Sequence, residues 1–245
     1  MKQPHILCEE KDVAKRVLLP GDPARVLRVA EYLDDVREIA YNREFRTLTG
    51  KYKGVSITVT STGIGGASAV IALEELIACG AKALIRIGSC GACRSGIELG
   101  DLVLSSGSVR EDGASRMYAP ENYPAVPDFR LLSLLAASCE EHGYRHHIGI
   151  TRSHDSFYID HEAELMRSWN RLGVLASDME TSTVFTLGTI RGVSVASILN
   201  NVVLYEGDVK EGVGSYVDKE DAAAEGEKRE IIAALEALRN YGDGS

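Results

Sequence analysis

Short apolar runs alternate with amphipathic stretches along the whole chain, and their periods predict an order of elements. The run Arg16-Val-Leu-Leu-Pro20 predicts a buried strand. Gly21-Asp22-Pro23 then supplies a turn, a helix N-cap and a proline at the first helical position, so a helix is expected from 23 to about 33. Residues 44–49 and 55–61 alternate as two strands across a Lys-Gly turn, and Gly65-Gly66 opens an apolar helix that runs through Cys79 and stops at Gly80. The pattern next predicts a strand at 83–88, a glycine-rich loop, a strand at 101–109, a long polar loop to Pro127, a helix at 129–142 and a strand at 147–152. A helix from about 160 to 171, a strand at 173–177, a helix at 179–191, an apolar strand at 193–203 and a C-terminal helix within 218–240 complete it. No repeat, low-complexity linker or boundary interrupts this order, so residues 1–245 are expected to form one domain.

This order predicts an α/β fold with a central mixed, largely parallel sheet flanked by helices on both faces. In such folds ligands collect at the carboxyl ends of strands. The polar motifs fall there. Gly21–Arg25, the segment 63–68 and the segment 86–91 each follow or end a strand, and that convergence says more than any one motif.

A chain of 245 residues with 44% hydrophobic content can bury one large core. Its net charge of -9 argues against nucleic-acid or acidic-membrane partners, so any phosphate site must be local. No run approaches the roughly 18 apolar residues of a membrane span, and the N-terminus MKQPHILCEEKD lacks a leader pattern, so a cytoplasmic location is expected. The five cysteines are odd in number and scattered, as reduced thiols are.

Pro20-Gly-Asp-Pro-Ala-Arg25 sets backbone amides at a helix start, where an anion is favoured, with Arg25 one turn along. On these six residues alone, a capped helix with a solvated arginine is the simpler reading. Arg86-Ile-Gly-Ser-Cys-Gly91 puts an arginine near the end of an apolar strand, where it needs a partner; a structural carboxylate and a bidentate phosphate both qualify. Thr62-Gly-Ile-Gly-Gly-Ala-Ser68 does not fit the dinucleotide spacing, and there is no Walker sequence. Cys90-Gly-Ala-Cys93 lacks the second pair that a zinc site needs, and His146 and His147 point to opposite faces of a strand, so no metal centre is expected. Asp178-Met-Glu180 ends a short apolar strand with two carboxylates that could address adjacent hydroxyls, although Asp178 is also a ready helix cap.

Together these segments resemble the nucleoside phosphorylase family of uridine phosphorylases and hexameric purine nucleoside phosphorylases. The resemblance covers nearly the whole chain. It rests on Pro20-Gly-Asp-Pro-Ala-Arg25, Asn42-Arg-Glu-Phe45, Ser61-Thr-Gly-Ile-Gly-Gly66, Arg86-Ile-Gly-Ser-Cys-Gly91, Ser108-Val-Arg-Glu-Asp-Gly-Ala-Ser115, Tyr123-Pro-Ala-Val126, His154-Asp-Ser-Phe-Tyr158 and Asp178-Met-Glu180, in the family's order. It implies phosphorolysis of a ribonucleoside to free base and ribose 1-phosphate, with inorganic phosphate as co-substrate and no organic cofactor. Gly21, Arg25, Arg86 and Ser89 are then expected at phosphate, joined by Arg43 from an adjacent subunit. His5, also from the neighbour, Met179, Glu180 and Asp178 are expected at the ribose, and Phe157 and Tyr158 at the base. Arg86 and Glu180 are the expected catalytic pair. Glu44, Ile64 and Ser68 match positions where family members hold a monovalent cation such as potassium between subunits. A dimer is the minimal unit implied, and a hexamer the expected assembly.

The base pocket departs from the family's patterns. His161 and Ala163 stand where uridine phosphorylases carry a Gln and an Arg, and Asn201 and Val202 stand where purine enzymes carry an acid and uridine enzymes another Arg. An amide cannot deliver a proton to a leaving purine. His161 donating to a uracil carbonyl and Asn201 holding a 6-oxopurine are both expected modes, with uridine preferred. A water-using nucleosidase and a non-catalytic nucleoside-binding protein are the competing functions.

Overall fold

The computed structural model describes residues 1–207, 212, 214 and 221–242. Its strands are β1 (Arg16–Pro20), β2 (Asp34–Asn42), β3 (Phe45–Tyr52), β4 (Val55–Thr60), β5 (Ala83–Ala92), β6 (Leu102–Glu111), β7 (His146–His154), β8 (Ala176–Asp178) and β9 (Ser194–Val203). The helices are α1 (Pro23–Ala30), α2 (Gly66–Ala78), α3 (Gly113–Tyr118), α4 (Phe129–Glu141), α5 (Glu162–Arg171), α6 (Thr181–Arg191) and α7 (Asp221–Asn240). All nine strands join one mixed sheet in the order β2-β3-β4-β1-β5-β8-β7-β6-β9. β5 pairs with both β8 and β9, so the run from β5 to β9 closes on itself.

Strand alternation explains why helices cover both faces. Leu18, Ile85, Ile87, Ala196 and Ile198 pack against α1, α4 and α7 through Val26, Val29, Leu131, Leu135, Ile231 and Leu235. Their neighbours Val17, Leu19, Leu84 and Val195 pack against α2 and α6 through Leu73, Leu76, Phe185 and Leu187. Every second residue thus serves one core. The α/β reading stands, with parallel pairing of β1 to β4 and β5, of β5 to β9, and of β7 to β6 and β8.

Several boundaries differ from expectation for physical reasons. β2 carries no clear alternation because it is a mostly exposed edge strand, tied to β3 by the pairs Arg46–Glu38 and Lys51–Asp35. The first helix ends at Ala30, since Tyr32 and Leu33 donate to residues three back and tighten the chain into a turn. The expected glycine-rich loop after 88 is strand: Gly88, Ser89, Cys90 and Gly91 all pair with β9. The polar loop before Pro127 contains α3, started by Asp112 accepting from the Ser115 amide at 2.6 Å. The C-terminal helix spans Asp221–Asn240, and positions 218–220 lie outside the described residues.

Candidate functional site

The carboxyl ends of β1, β4, β5 and β8 meet at one cavity. Asp22 caps α1 by accepting from the Ala24 amide at 2.8 Å, and Pro23 follows as the first helical residue. The Gly63 amide donates to the Gly21 carbonyl at 3.0 Å, which locks two strand-end turns together. That closeness leaves Gly21 no room to spare, since a Cβ there would lie 3.3 Å from the Gly63 oxygen.

Arg25 is not solvated. It is 3% exposed, and its guanidinium donates from Nε to Glu227 Oε2 at 2.8 Å, from Nη1 to the Ile87 carbonyl at 3.2 Å and from Nη2 to Ser89 Oγ at 3.2 Å. Glu230 Oε1 lies 3.3 Å from Nη1. Glu227 also accepts from Arg28. Both glutamates come from α7.

Arg86 lies in β5 with the parity of Leu84, so it projects to the α2/α6 face while Arg25 arrives from the α1/α7 face. Its guanidinium folds back over Gly88, where a Cβ would sit 2.6 Å from Nη2; glycine is required for that reason. Nε donates to Asp178 Oδ2 at 2.9 Å, Nη2 meets Glu180 Oε2 at 2.5 Å, and the buried Nη1 has no hydrogen-bond partner among the described residues. The carboxylate reading of Arg86 therefore holds, and one donor remains over. Burial opposes its charge, but Glu180 and Asp178 outweigh that and raise its pKa, so it stays a cation.

Glu180 Oε1 accepts the Gly65 amide at 2.5 Å, which explains the glycine: Gly65 has φ 87°. Burial pushes the Glu180 carboxyl up against the pull of Arg86. Asp178 accepts from Ser153 Oγ at 2.6 Å and from the Thr181 amide and hydroxyl at 3.1 and 2.6 Å, so it caps α6 as well as holding Arg86. Both readings of Asp178 apply.

The described residues enclose about 1280 Å³, lined by Gly21, Arg25, Arg86, Ser89, Asp178, Met179 and Glu180 at one end and by Phe157, Tyr158, Glu162, Met166 and Val203 at the other. Phe157 and Tyr158 form an edge-to-face pair 4.9 Å apart. Glu44, Ile64 and Ser68 also line it, with Ser68 Oγ donating to Glu44 Oε1 at 2.7 Å. His154, a lining residue not singled out from the sequence, is kept neutral by burial and hydrogen-bonds the Ser156 carbonyl through Nδ1 at 3.0 Å.

Two expected base contacts are corrected. His161 is exposed and lies outside the lining, because it is the N-cap residue of α5, which turns Glu162, Ala163, Met166 and Arg167 to the cavity. Asn201 is fully buried and faces away: its amide donates to the Glu98 carbonyl at 3.1 Å. Neither lines the cavity.

Arg43 and His5 are also outside this cavity. Arg43 sits exposed at the two-residue tip between β2 and β3, with φ 56°. His5 is held by Glu75, whose carboxylate takes its backbone amide at 3.0 Å and its Nδ1 at 2.6 Å. Burial raises the Cys93 thiol to about 12, so Cys90-Gly-Ala-Cys93 offers no thiolate at neutral pH. Among the described residues no helix is long and apolar enough to cross a membrane.

Glu227 and Glu230 were not singled out from the sequence. The signal was their phase. They stand four residues before Ile231 and Ala234, on the buried stripe of α7.

The model of the phosphorylase superfamily matches residues 15–236. A uridine phosphorylase of Thermococcus kodakarensis is 42% identical over 243 residues, covering 94% of this chain and 87% of the relative. A guanosine phosphorylase of Halorubrum lacusprofundi is 37% identical over 239 residues, covering 98% and 97%. The crystal structure of a uridine phosphorylase from Vibrio fischeri superposes with a TM-score of 0.91 at 47% identity, covering 97% of each chain.

Proposed function

The chain belongs to the phosphorylase superfamily, and on that premise we propose that it cleaves a ribonucleoside with inorganic phosphate, uridine first, to free base and ribose 1-phosphate. The observation that carries this is the pair of buried guanidiniums, Arg25 and Arg86, brought from opposite faces of the sheet to one cavity end beside Ser89. Hydrolysis has no use for two buried cations at that end. The relatives support uridine: several are uridine phosphorylases.

In this reading phosphate sits among Gly21, Arg25, Arg86 and Ser89, and the unpartnered Nη1 of Arg86 is a donor kept for it. Glu180, fixed by Arg86 and the Gly65 amide, orients the ribose hydroxyls, with Met179 beneath the sugar and Asp178 as support. As the glycosidic bond opens, positive charge grows at the anomeric carbon, and the phosphate is both its counter-charge and its nucleophile. The base leaves against Phe157 and Tyr158. No covalent intermediate or organic cofactor is needed.

Arg43 and His5, exposed or at the surface and away from their own cavity, serve the neighbouring cavity of a dimer, and the dimers assemble as a hexamer. Glu44, Ile64 and Ser68 take a monovalent cation such as potassium at that junction. Five buried free thiols suit a reducing cytoplasm.

A 6-oxopurine is the second reading. It is favoured by Glu162, whose buried Oε2 has no hydrogen-bond partner among the described residues and could take a purine N–H, and by the guanosine phosphorylase among the relatives. Uridine, thymidine, inosine, guanosine and adenosine assayed with phosphate test the choice: uridine should give the highest kcat/KM, and a higher value for guanosine or inosine reverses the assignment. Ligand-induced thermal stabilisation with turnover of none would leave only a binding protein.

A further inference from the structure

Glu230 is fully buried on α7, and among the described residues its carboxyl oxygens make no well-formed hydrogen bond, although the Gly88 amide lies against them. Its nearest cation is Arg25, 3.3 Å away at Nη1. The charged groups facing it are Arg25 of α1, Arg86 of β5 and Glu227 of its own helix. Resting on the phosphate reading above, we propose that Glu230 is a positioning residue of that site: it lies against Arg25 while the anion is away, and it must carry a proton when the anion is bound, taking one up wherever it is still ionised, so that the guanidinium is free to meet the anion.

The argument is one of charge. Among the described residues, the buried Arg25 and Arg86 meet four buried carboxylates, Asp178, Glu180, Glu227 and Glu230, while the half-buried Arg28 is shared between Glu227 and the exposed Asp22. A phosphate dianion entering this cluster adds two further negative charges, and an Arg43 from a second copy returns only one positive. A proton is the cheapest remedy.

Its place is decided by the hydrogen bonds each carboxylate would lose. Asp178 accepts from Arg86, Ser153 and Thr181. Glu227 is bridged by Arg25 and Arg28, and Glu180 holds the Gly65 amide and Arg86. Among the described residues Glu230 is the least held of the four, with only the Gly88 amide and Arg25 against it and no well-formed hydrogen bond, so protonating it costs the least. Burial already pushes its carboxyl up to about 8, close to where a small change in Arg25 tips it. The proton comes from solvent, and no covalent bond changes.

Calorimetric titration of the intact enzyme with inorganic phosphate, in two buffers of different ionisation enthalpy at pH about 7 and about 9, counts protons taken up per anion bound. At the higher pH phosphate has lost its second proton, so its own titration does not contribute. The wild type should take up close to one proton there and much less at the lower pH, and its Kd should rise about tenfold per pH unit above about 8. Glu230→Gln should bind phosphate with no uptake and a flat Kd.

Binding by the wild type without uptake at the higher pH overturns the proposal while leaving the phosphate reading intact. Unchanged uptake in Glu230→Gln also overturns it. No phosphate binding at all sinks both. The wild-type arm decides even if the variant fails to fold.

Discussion

Replacing Arg86 with lysine keeps a cation in β5 but removes the fork. In the native chain the three guanidinium nitrogens have separate tasks: Nε holds Asp178 at 2.9 Å, Nη2 holds Glu180 at 2.5 Å, and Nη1 is left for the anion. One ammonium cannot reach all three directions. Alanine would be a poorer test, because it strands two buried carboxylates, at a cost of about 3–5 kcal/mol, and confounds activity with folding. Lysine retains the charge balance, so its predicted loss is the anion contact. A charge-assisted hydrogen bond contributes about 1.5–3 kcal/mol, which is roughly 10- to 150-fold in kcat/KM for phosphate. Initial rates at varied phosphate and saturating nucleoside, with melting curves alongside, measure it. A variant that melts within a few degrees of wild type but keeps kcat/KM for phosphate within about threefold would refute the role given to Arg86.

Three more outcomes are expected. Asp112 is fully buried and accepts from the Ser115 amide and from the hydroxyls of Ser115, Ser182 and Thr183, so Asp112→Ala should cost about 3 kcal/mol and lower the melting temperature by roughly 6–12 °C; a shift under about 2 °C would contradict it. Glu230 has a folded-state pKa of about 8 against an unfolded value of about 4.3, so the native state binds the extra proton between them and wild-type stability should fall as pH rises through that window. Glu230→Gln removes that slope, and denaturant melts should show it gaining on wild type by a few kcal/mol between those pH values; parallel curves would count against it. Arg43→Ala should raise the phosphate KM about 10- to 100-fold while leaving the melting temperature nearly unchanged, because the side chain is exposed at a hairpin tip; mixed dimers with Arg86→Lys chains should regain activity, and no regain would exclude sharing between subunits.

The strands that form the sheet's centre were legible because both faces are buried and every second residue serves a separate core, as Leu18 and Leu19 do. β2 was not, since an edge strand held by exposed ion pairs leaves no apolar period. Arg25 and Arg86 were visible as arginines at strand ends, but their carboxylates were only half visible. Asp178 and Glu180 lie in a motif, whereas Glu227 and Glu230 come from a helix about 200 residues beyond Arg25 and are joined to it only by the fold. His161 and Asn201 misled because counting along the chain places a residue in a segment, not on a face: one ended as a helix cap, and the other gave its amide to Glu98. The base end of the cavity was least legible, because beyond the Phe157-Tyr158 pair its lining residues, such as Glu162, Met166 and Val203, carry no local signature.

The central claim is that phosphate, and not water, takes the ribose. Base release from uridine by the enzyme, followed chromatographically in rigorously phosphate-free buffer and again at saturating phosphate, tests it most directly. The account predicts ribose 1-phosphate in step with base, and a rate that falls to background when phosphate is removed. Undiminished base release without phosphate, with free ribose as the second product, would contradict it.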